Sequence, residues 1–106
     1  MPRRGDLLNA VERLWRAIAR GDYAAIAAQL DEHARIEWPH SGEHLSATEY
    51  VVRQRLAGER DIDIRRILVD EERVAVHAVV DGRHVGGFYD LQTARIATGV
   101  EIWTEG

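Results

Sequence analysis

The 106-residue sequence contains no cysteine, and all fourteen of its basic residues are arginine. The lack of cysteine excludes a disulfide framework, a thiolate metal site and a cysteine nucleophile. It also fits a reducing compartment, and we expect a cytoplasmic location. No apolar run approaches the roughly 20 residues of a membrane-spanning helix, and the charged N-terminus leads into an amphipathic segment that does not resemble a signal peptide. We therefore expect no membrane partner.

Basic residues are outnumbered by acidic ones. Fourteen arginines and eighteen acidic residues give a formal net charge of -4. Binding to a nucleic-acid backbone requires clustered Lys and Arg, so we expect no nucleic-acid partner. The length and an ordinary composition, with 45% hydrophobic and 30% charged residues, predict one globular domain over residues 1–106.

The first half of the chain has helical periodicity. The spacing predicts a helix over residues 6–20, begun by Asp6 and ended by Gly21. Asp22 caps a short second helix that runs to about Leu30. The apolar stripe of the first helix follows a helical repeat: Leu7, Leu8, Val11, Leu14, Trp15 and Ile18.

A strand and a third helix follow. Residues 33–38 alternate as a strand, which Pro39 stops, and residues 39–44 are expected to form a loop. Residues 46–49, Ser-Ala-Thr-Glu, form a capping box and predict a helix to about Ala57, ended by Gly58.

The second half of the chain is typical of strands. Asp81-Gly82 predicts a two-residue hairpin turn, which pairs Val76 with Gly87 and Val74 with Tyr89. We expect strands over residues 62–69 with a bulge at Arg65-Arg66, and over residues 74–80, 85–91 and 96–103. Gly86-Gly87 predicts a further bulge or bend.

The hairpin register assigns side chains to two faces of the sheet. The inner face is apolar and should pack on the helices: Val74, Val76, Ala78, Val80, Val85, Tyr89 and Leu91. The outer face is mixed and suits solvent or a subunit interface: Arg73, Ala75, His77, Val79, His84, Phe88 and Asp90. Three helices and such a sheet predict an α+β fold, a cone-shaped curled antiparallel or mixed sheet packed on three N-terminal helices, in the manner of a cystatin-like α+β roll.

Glu101 is the candidate catalytic residue. It precedes Trp103 by two residues on the last strand, so the two side chains share a face. A carboxylate on an apolar face is costly unless it is paired, solvated or protonated. Burial would raise its pKa toward the range that suits proton transfer. The alternative is a structural glutamate that bonds to a tyrosine or a helix-one side chain, or reaches solvent.

The chain resembles the nuclear transport factor 2-like superfamily, in its SnoaL-like polyketide cyclase branch. The resemblance covers nearly the whole length and implies a cone with a deep apolar cavity between the sheet and the first helix. It also implies a homodimer through the outer sheet face. Its markers are Ala19–Asp22, Ile36–Pro39, Ser41-Gly42, Gly87–Ile96 and Glu101–Trp103.

The resemblance does not imply every chemistry of that superfamily. A ketosteroid isomerase needs a carboxylate base where this chain has Trp38, a tyrosine where it has Leu14 and a second acid near Gly87, so we reject that activity. A limonene-type epoxide hydrolase needs an Arg-x-Asp pair, where this chain has Ala78 and Val80. We therefore do not expect water activation of that kind. SnoaL-like cyclases place their acid/base on the last strand, at the position of Glu101.

Further site residues follow from the inner face and the resemblance. Tyr89 is a second catalytic candidate, because its hydroxyl could polarise a ligand carbonyl; alternatively it fills the core. His40 and His44 flank Ser41-Gly42 within the expected loop but match no metal signature, so we predict neither a metal nor a cofactor. The ligand-binding candidates are Trp15, Leu14, Trp38, Trp103, Val76 and Ala78.

Two functions are compatible with the sequence. The first is a protein that binds a small, largely apolar organic molecule, with cofactor-free cyclase, isomerase or dehydratase chemistry through Glu101. The second is a non-catalytic homodimeric binding or association module. The discriminating observation is whether Glu101 lies in a cavity within about 3 Å of a reacting atom.

Overall fold

Three helices pack on one face of a curled sheet, and the computed structural model describes them within residues 3–104. Helix α1 spans Arg4–Arg20, α2 spans Tyr23–Ala28 and α3 spans Ala47–Ala57. Gly21 ends α1 in the left-handed region, with φ of 69°, which glycine adopts at little cost. No helix within these residues is long and apolar enough to cross a membrane.

One six-stranded sheet forms the other layer. Its strands are β1 (Leu30–Trp38), β2 (Glu43–Ser46), β3 (Ile62–Asp70), β4 (Arg73–Val80), β5 (Arg83–Gln92) and β6 (Arg95–Trp103). Their order across the sheet is β2-β1-β6-β5-β4-β3. All neighbours are antiparallel except β1 and β6, which are parallel. The predicted α+β class and mixed sheet are confirmed.

Local signals predicted several features correctly. The hairpin at Asp81-Gly82 pairs Val76 with Gly87 and Val74 with Tyr89. The register of β3 against β4 shifts between Ile64 and Arg66, where a bulge was expected. The capping box is present: Glu49 N–H donates to Ser46 Oγ, and Ser46 N–H donates to Glu49 Oε1.

Other predictions need correction. Asp6 was predicted to be the N-cap of α1, but the helix begins two residues earlier, at Arg4. The Asp6 carboxylate lies in the first turn and accepts a hydrogen bond from the Arg3 N–H. Helix α2 ends at Ala28, because Leu30 already belongs to β1 and pairs with Ile96 of β6. The predicted loop over residues 39–44 is shorter, since Glu43–Ser46 form β2 and pair with the end of β1.

The pair Gly86-Gly87 forms no bulge, because pairing of β5 with β4 is continuous there. Gly87 has another reason to be glycine. A Cβ at Gly87 would lie 2.7 Å from the Tyr89 hydroxyl, and a Cβ at Gly99 would lie 2.7 Å from the Tyr89 ring. Both positions therefore make room for the Tyr89 ring on the inner face, and this places its hydroxyl near Glu101.

Candidate functional site

The Glu101 carboxylate lies fully buried in the core, with 0% exposure, and accepts three hydrogen bonds. Trp38 Nε1–H donates to Oε1 at 2.9 Å. The hydroxyls of Tyr50 and Tyr89 donate to Oε2 at 2.7 and 2.6 Å. Four elements thus meet at one carboxylate, and charge-assisted bonds of this kind are the stronger class of protein hydrogen bond.

Burial and hydrogen bonding act on Glu101 in opposite directions. Burial raises its pKa above the ordinary value of 4.5, while the hydrogen bonds from Tyr89, Tyr50 and Trp38 and the positive charge of Arg60 lower it. Burial is the largest of these effects, so a proton is held more strongly than on a solvent-exposed glutamate. Burial, followed by the neighbouring Glu101 charge, also raises the pKa values of Tyr50 and Tyr89 well above 10.0.

Tyr50 is the partner that sequence reasoning missed. It lies in α3, is fully buried, and contacts Trp38 edge-on with ring centroids 6.2 Å apart. The capping box fixed the start of α3 but did not show which face of the helix turns inward. Tyr50 and Gln54, four residues apart, are the two buried residues of α3. Residues four apart lie on one face of a helix, so this spacing was the sequence signal that could have identified the buried face of α3.

Tyr89 occupies the predicted face, and its contact matches the alternative interpretation, in which it fills the core and a tyrosine bonds to Glu101. Its hydroxyl donates to Glu101 and therefore does not stand free to polarise a ligand carbonyl. Among the six ligand-binding candidates, five are buried in the core: Leu14, Trp15, Trp38, Val76 and Ala78. The Trp15 indole N–H is buried and has no hydrogen-bond partner within residues 3–104.

Two of the candidates, the buried Trp38 and the partly buried Trp103, line a surface cleft of about 360 Å³. We call it the α3 cleft, because it lies between α3 and the ends of β1 and β6. The Arg53 guanidinium lies 4.9 Å from the Trp38 ring centroid, and the Arg60 guanidinium lies 5.1 Å from that of Trp103. The full lining is Trp38, His40, Arg53, Gln54, Ala57, Arg60, Arg83, Trp103 and Thr104.

Glu101 does not itself line the α3 cleft, nor any of four further clefts on the described part of the chain. Side chains occupy the space around it. Trp38 connects the two regions, because it donates to Glu101 and also lines the α3 cleft. A ligand in the cleft would reach the carboxylate only if the Trp38 side chain moved.

The histidines lie apart from Glu101. His40 lines the α3 cleft, with its ring 5.8 Å from that of Trp38. His77 and His84 stack on the outer sheet face, with Nε2 and Nδ1 separated by 2.8 Å, as the hairpin register predicted. Over residues 3–104 no three His, Asp or Glu side chains converge as metal ligands do.

Comparison with known proteins agrees with this architecture. The sequence profile of the SnoaL-like domain matches residues 11–105. The chain belongs to the SnoaL-like domain family. No curated protein matches the sequence.

Solved structures share the fold of this SnoaL-like chain. An NTF-2 like protein of unknown function from Burkholderia xenovorans LB400 has a TM-score of 0.88 at 19% identity, over 98% of this chain and 87% of that one. A putative ketosteroid isomerase from Kribbella flavida has a TM-score of 0.82 at 17% identity, over 97% of this chain and 81% of that one. The putative polyketide cyclase IdmH from Streptomyces antibioticus gives 0.81 at 13% identity, over 90% and 89%.

Similarity at these identities concerns the fold, which hosts several activities. A ketosteroid isomerase needs polar catalytic groups at three positions where this SnoaL-like chain has Leu14, Trp38 and Gly87. Here Leu14 lies in the core, Trp38 is bonded to Glu101, and Gly87 lies beneath the Tyr89 ring. Each has a packing or hydrogen-bonding role here. The candidate functional groups of this chain are therefore Glu101 and the residues of the α3 cleft.

Proposed function

We propose that this SnoaL-like protein binds a small, largely apolar organic molecule at the α3 cleft. The observation that supports this is the pair of tryptophans, Trp38 and Trp103, on the wall of a cleft whose volume of about 360 Å³ lies within the range of small-molecule sites. In this proposal both indoles contact the ligand. Leu14, Trp15, Val76 and Ala78 belong to the hydrophobic core and do not line this cleft.

The three tryptophans provide the test, because each gives one indole N–H signal in a proton–nitrogen NMR spectrum. Substitution of each tryptophan by phenylalanine assigns its signal. Titration with 2-naphthol, a flat neutral probe, is expected to shift the Trp38 and Trp103 signals saturably and to leave Trp15 nearly unchanged. Equal shifts at all three tryptophans, or no saturable shift, would contradict binding at this cleft.

Cofactor-free acid/base chemistry through Glu101 is the second candidate function. Its support is the buried carboxylate with a raised pKa, one side chain away from the cleft. In this proposal Trp38 swings aside and frees Oε1, which takes a proton from carbon next to a ligand carbonyl and returns it to a second position. Tyr89 and Tyr50 hold the ionised carboxylate through Oε2. Return of the proton to another carbon completes an isomerisation. Return to the oxygen of a carbonyl that the carbanion has attacked completes a cyclisation, and transfer to a departing hydroxyl, which leaves as water, completes a dehydration.

The Glu101→Gln variant separates chemistry from binding. It keeps the side-chain shape but cannot take the proton, so any turnover of an accepted carbonyl substrate should fall by at least 100-fold, the lower end of general acid–base contributions. The 2-naphthol shifts at Trp38 and Trp103 should persist in this variant. Unchanged turnover would remove Glu101 from the mechanism and leave the binding proposal intact.

A non-catalytic homodimeric module is the alternative, favoured by the complete packing around Glu101. The outer sheet face presents three large apolar side chains that are about half exposed or more, Leu68, Phe88 and Ile102. Exposed apolar groups of this kind are typical of an association surface. In this proposal the homodimer forms through that face and leaves the α3 cleft open in each subunit.

A further inference from the structure

The α3 cleft carries positive charge as well as aromatic surface. Arg53, Arg60 and Arg83 line it, whereas no Asp or Glu is among its lining residues. This is unusual for a chain whose net charge is -4. Arg53 and Arg60 are each paired with a carboxylate outside the lining, so Arg83 gives the cleft a net positive charge, which favours an anionic ligand.

The three arginines keep hydrogen-bonding capacity for a ligand. Arg60 uses Nε to bond Asp81, at 3.2 Å, and Arg53 uses Nη1 to bond Glu43. Arg83 forms no ion pair with any residue between 3 and 104. Since a guanidinium has five N–H donors in a fixed plane, each ion pair orients its arginine and leaves other donors available.

Two buried polar atoms of cleft residues have no partner within the described residues. They are the Trp103 indole N–H, which is a donor, and the Gln54 side-chain carbonyl, which is an acceptor. Gln54 is only 3% exposed. A buried polar group without a partner destabilises the fold, so a ligand that supplies the missing partner gains in affinity.

We propose that the α3 cleft binds a small hydroxylated aromatic carboxylate. The carboxylate accepts from Arg60, Arg83 and the Trp103 indole N–H, in the planar geometry that guanidinium favours. The aromatic ring packs in the Trp38 and Trp103 wall, and the hydroxyl donates to Gln54. This deepens the proposed function, on which it rests, by assigning the charge and polar groups of its ligand.

Three matched probes test the proposal by calorimetric titration. 4-Hydroxybenzoate has the carboxylate, the ring and the hydroxyl; its methyl ester lacks the charge; benzoate lacks the hydroxyl. We expect 4-hydroxybenzoate to bind at least tenfold more tightly than the methyl ester and severalfold more tightly than benzoate. Because the arginines are partly exposed, the affinity for the acid should fall as the salt concentration rises.

Variants locate the binding. Arg83→Gln and Arg60→Gln should each weaken the binding of 4-hydroxybenzoate at least threefold. The control, Arg13→Gln, removes the same charge from the exposed face of α1 and should leave the affinity unchanged. Arg60→Gln also removes the bond to Asp81 at the hairpin, so Arg83→Gln serves as the variant that leaves that bond intact. Gln54→Leu should abolish the preference for 4-hydroxybenzoate over benzoate.

The outcomes separate the two proposals. Equal affinity for acid and methyl ester, or equal weakening by Arg13→Gln and Arg83→Gln, overturns the anion site and leaves apolar binding standing. If 2-naphthol shifts Trp38 and Trp103 but 4-hydroxybenzoate does not bind, the anion site alone fails. If none of these probes binds, the anion site fails together with the proposed function on which it rests.

Discussion

Trp38 and Glu101 are joined by a 2.9 Å hydrogen bond between the two strands that pair in parallel, β1 and β6. Trp38 also lines the α3 cleft, whereas Glu101 lies behind it and does not. Ionised carboxylates are rarely buried unless hydrogen bonds replace the lost water. Here an indole and two phenols replace it, so one polar cluster ties α3, β1, β5 and β6 together.

Removing one donor at a time tests how much this cluster contributes. We expect Tyr50→Phe and Tyr89→Phe each to lower the free energy of unfolding by about 1.5–3 kcal/mol, the usual value for a hydrogen bond to a charged group. Each change should also raise the pKa of Glu101 further, since the lost bond stabilises the ionised form. Urea unfolding and carbon NMR titration of the carboxyl measure the two effects.

Tyr23→Phe is the matched control for that experiment. Tyr23 lies partly buried in α2 and does not bond to Glu101. The Tyr23→Phe substitution should leave both the free energy of unfolding and the Glu101 pKa nearly unchanged. If all three tyrosine substitutions lowered the free energy of unfolding equally, the hydroxyls would not stabilise the fold through their bonds to the Glu101 carboxylate.

Glycine positions beneath the Tyr89 ring give a second prediction. In Gly99→Ala the new methyl would lie 2.7 Å from the Tyr89 ring and 2.9 Å from Ile36 Cδ1. Such overpacking costs about 1–3 kcal/mol. Gly86→Ala, the control, places its methyl at an ordinary 3.5 Å from Phe88 and should be neutral or slightly stabilising, because alanine loses less backbone entropy than glycine.

A double variant distinguishes this clash from a general effect on the strand. Tyr89→Leu removes most of the ring, so Gly99→Ala should cost markedly less in that background than in the parent. Chemical denaturation of the four proteins gives the coupling free energy. Additive effects of the two changes would contradict the packing explanation.

Features set by neighbouring residues were predictable from the sequence. The Asp81-Gly82 turn gave the whole register of β4 against β5, and the Ser46 and Glu49 pair gave the start of α3. Both depend on contacts within a few residues. Strand β2 was missed because its four residues gain their pairing only from β1.

The candidate site was predictable only in part. Alternation on β6 correctly put Glu101 on the buried face. Its partners are 63, 51 and 12 residues away in the chain, and no local pattern gives such distances. The α3 cleft was likewise hidden, because it joins arginines from α3, the following segment and β5 that look like isolated surface charges in the sequence.

The outer sheet face provides a prediction about assembly. If the homodimer forms there, Phe88→Glu should convert it to a monomer, since a charge on each subunit would face an apolar surface. Sedimentation velocity measures the change, with Leu56→Glu as control, because Leu56 is 78% exposed on α3, away from that face. A wild-type protein that is monomeric at high concentration would rule out this interface.

Stability as a function of pH tests the state of Glu101. Its pKa is raised in the folded protein from 4.5, so folded molecules hold the proton more strongly than unfolded ones. The Glu101 contribution to stability is therefore fully present below pH 4.5 and declines as the pH rises through the folded pKa. Each unit of increase corresponds to about 1.4 kcal/mol of lost stability.

Comparison of wild type with Glu101→Gln isolates this contribution, since both proteins carry the same five histidines. Glu43 and Glu49 have lowered pKa values, caused first by the Arg53 hydrogen bond and the Ser46 backbone hydrogen bond respectively, and their contribution is lost below pH 4.5. The unfolding free energy of wild type minus that of the variant, from urea titrations between pH 4.5 and 8.5, should fall and then level off. A difference that stays constant or rises with pH would mean that Glu101 is ionised as readily inside the fold as outside it, and acid/base chemistry near neutral pH would lose its physical basis.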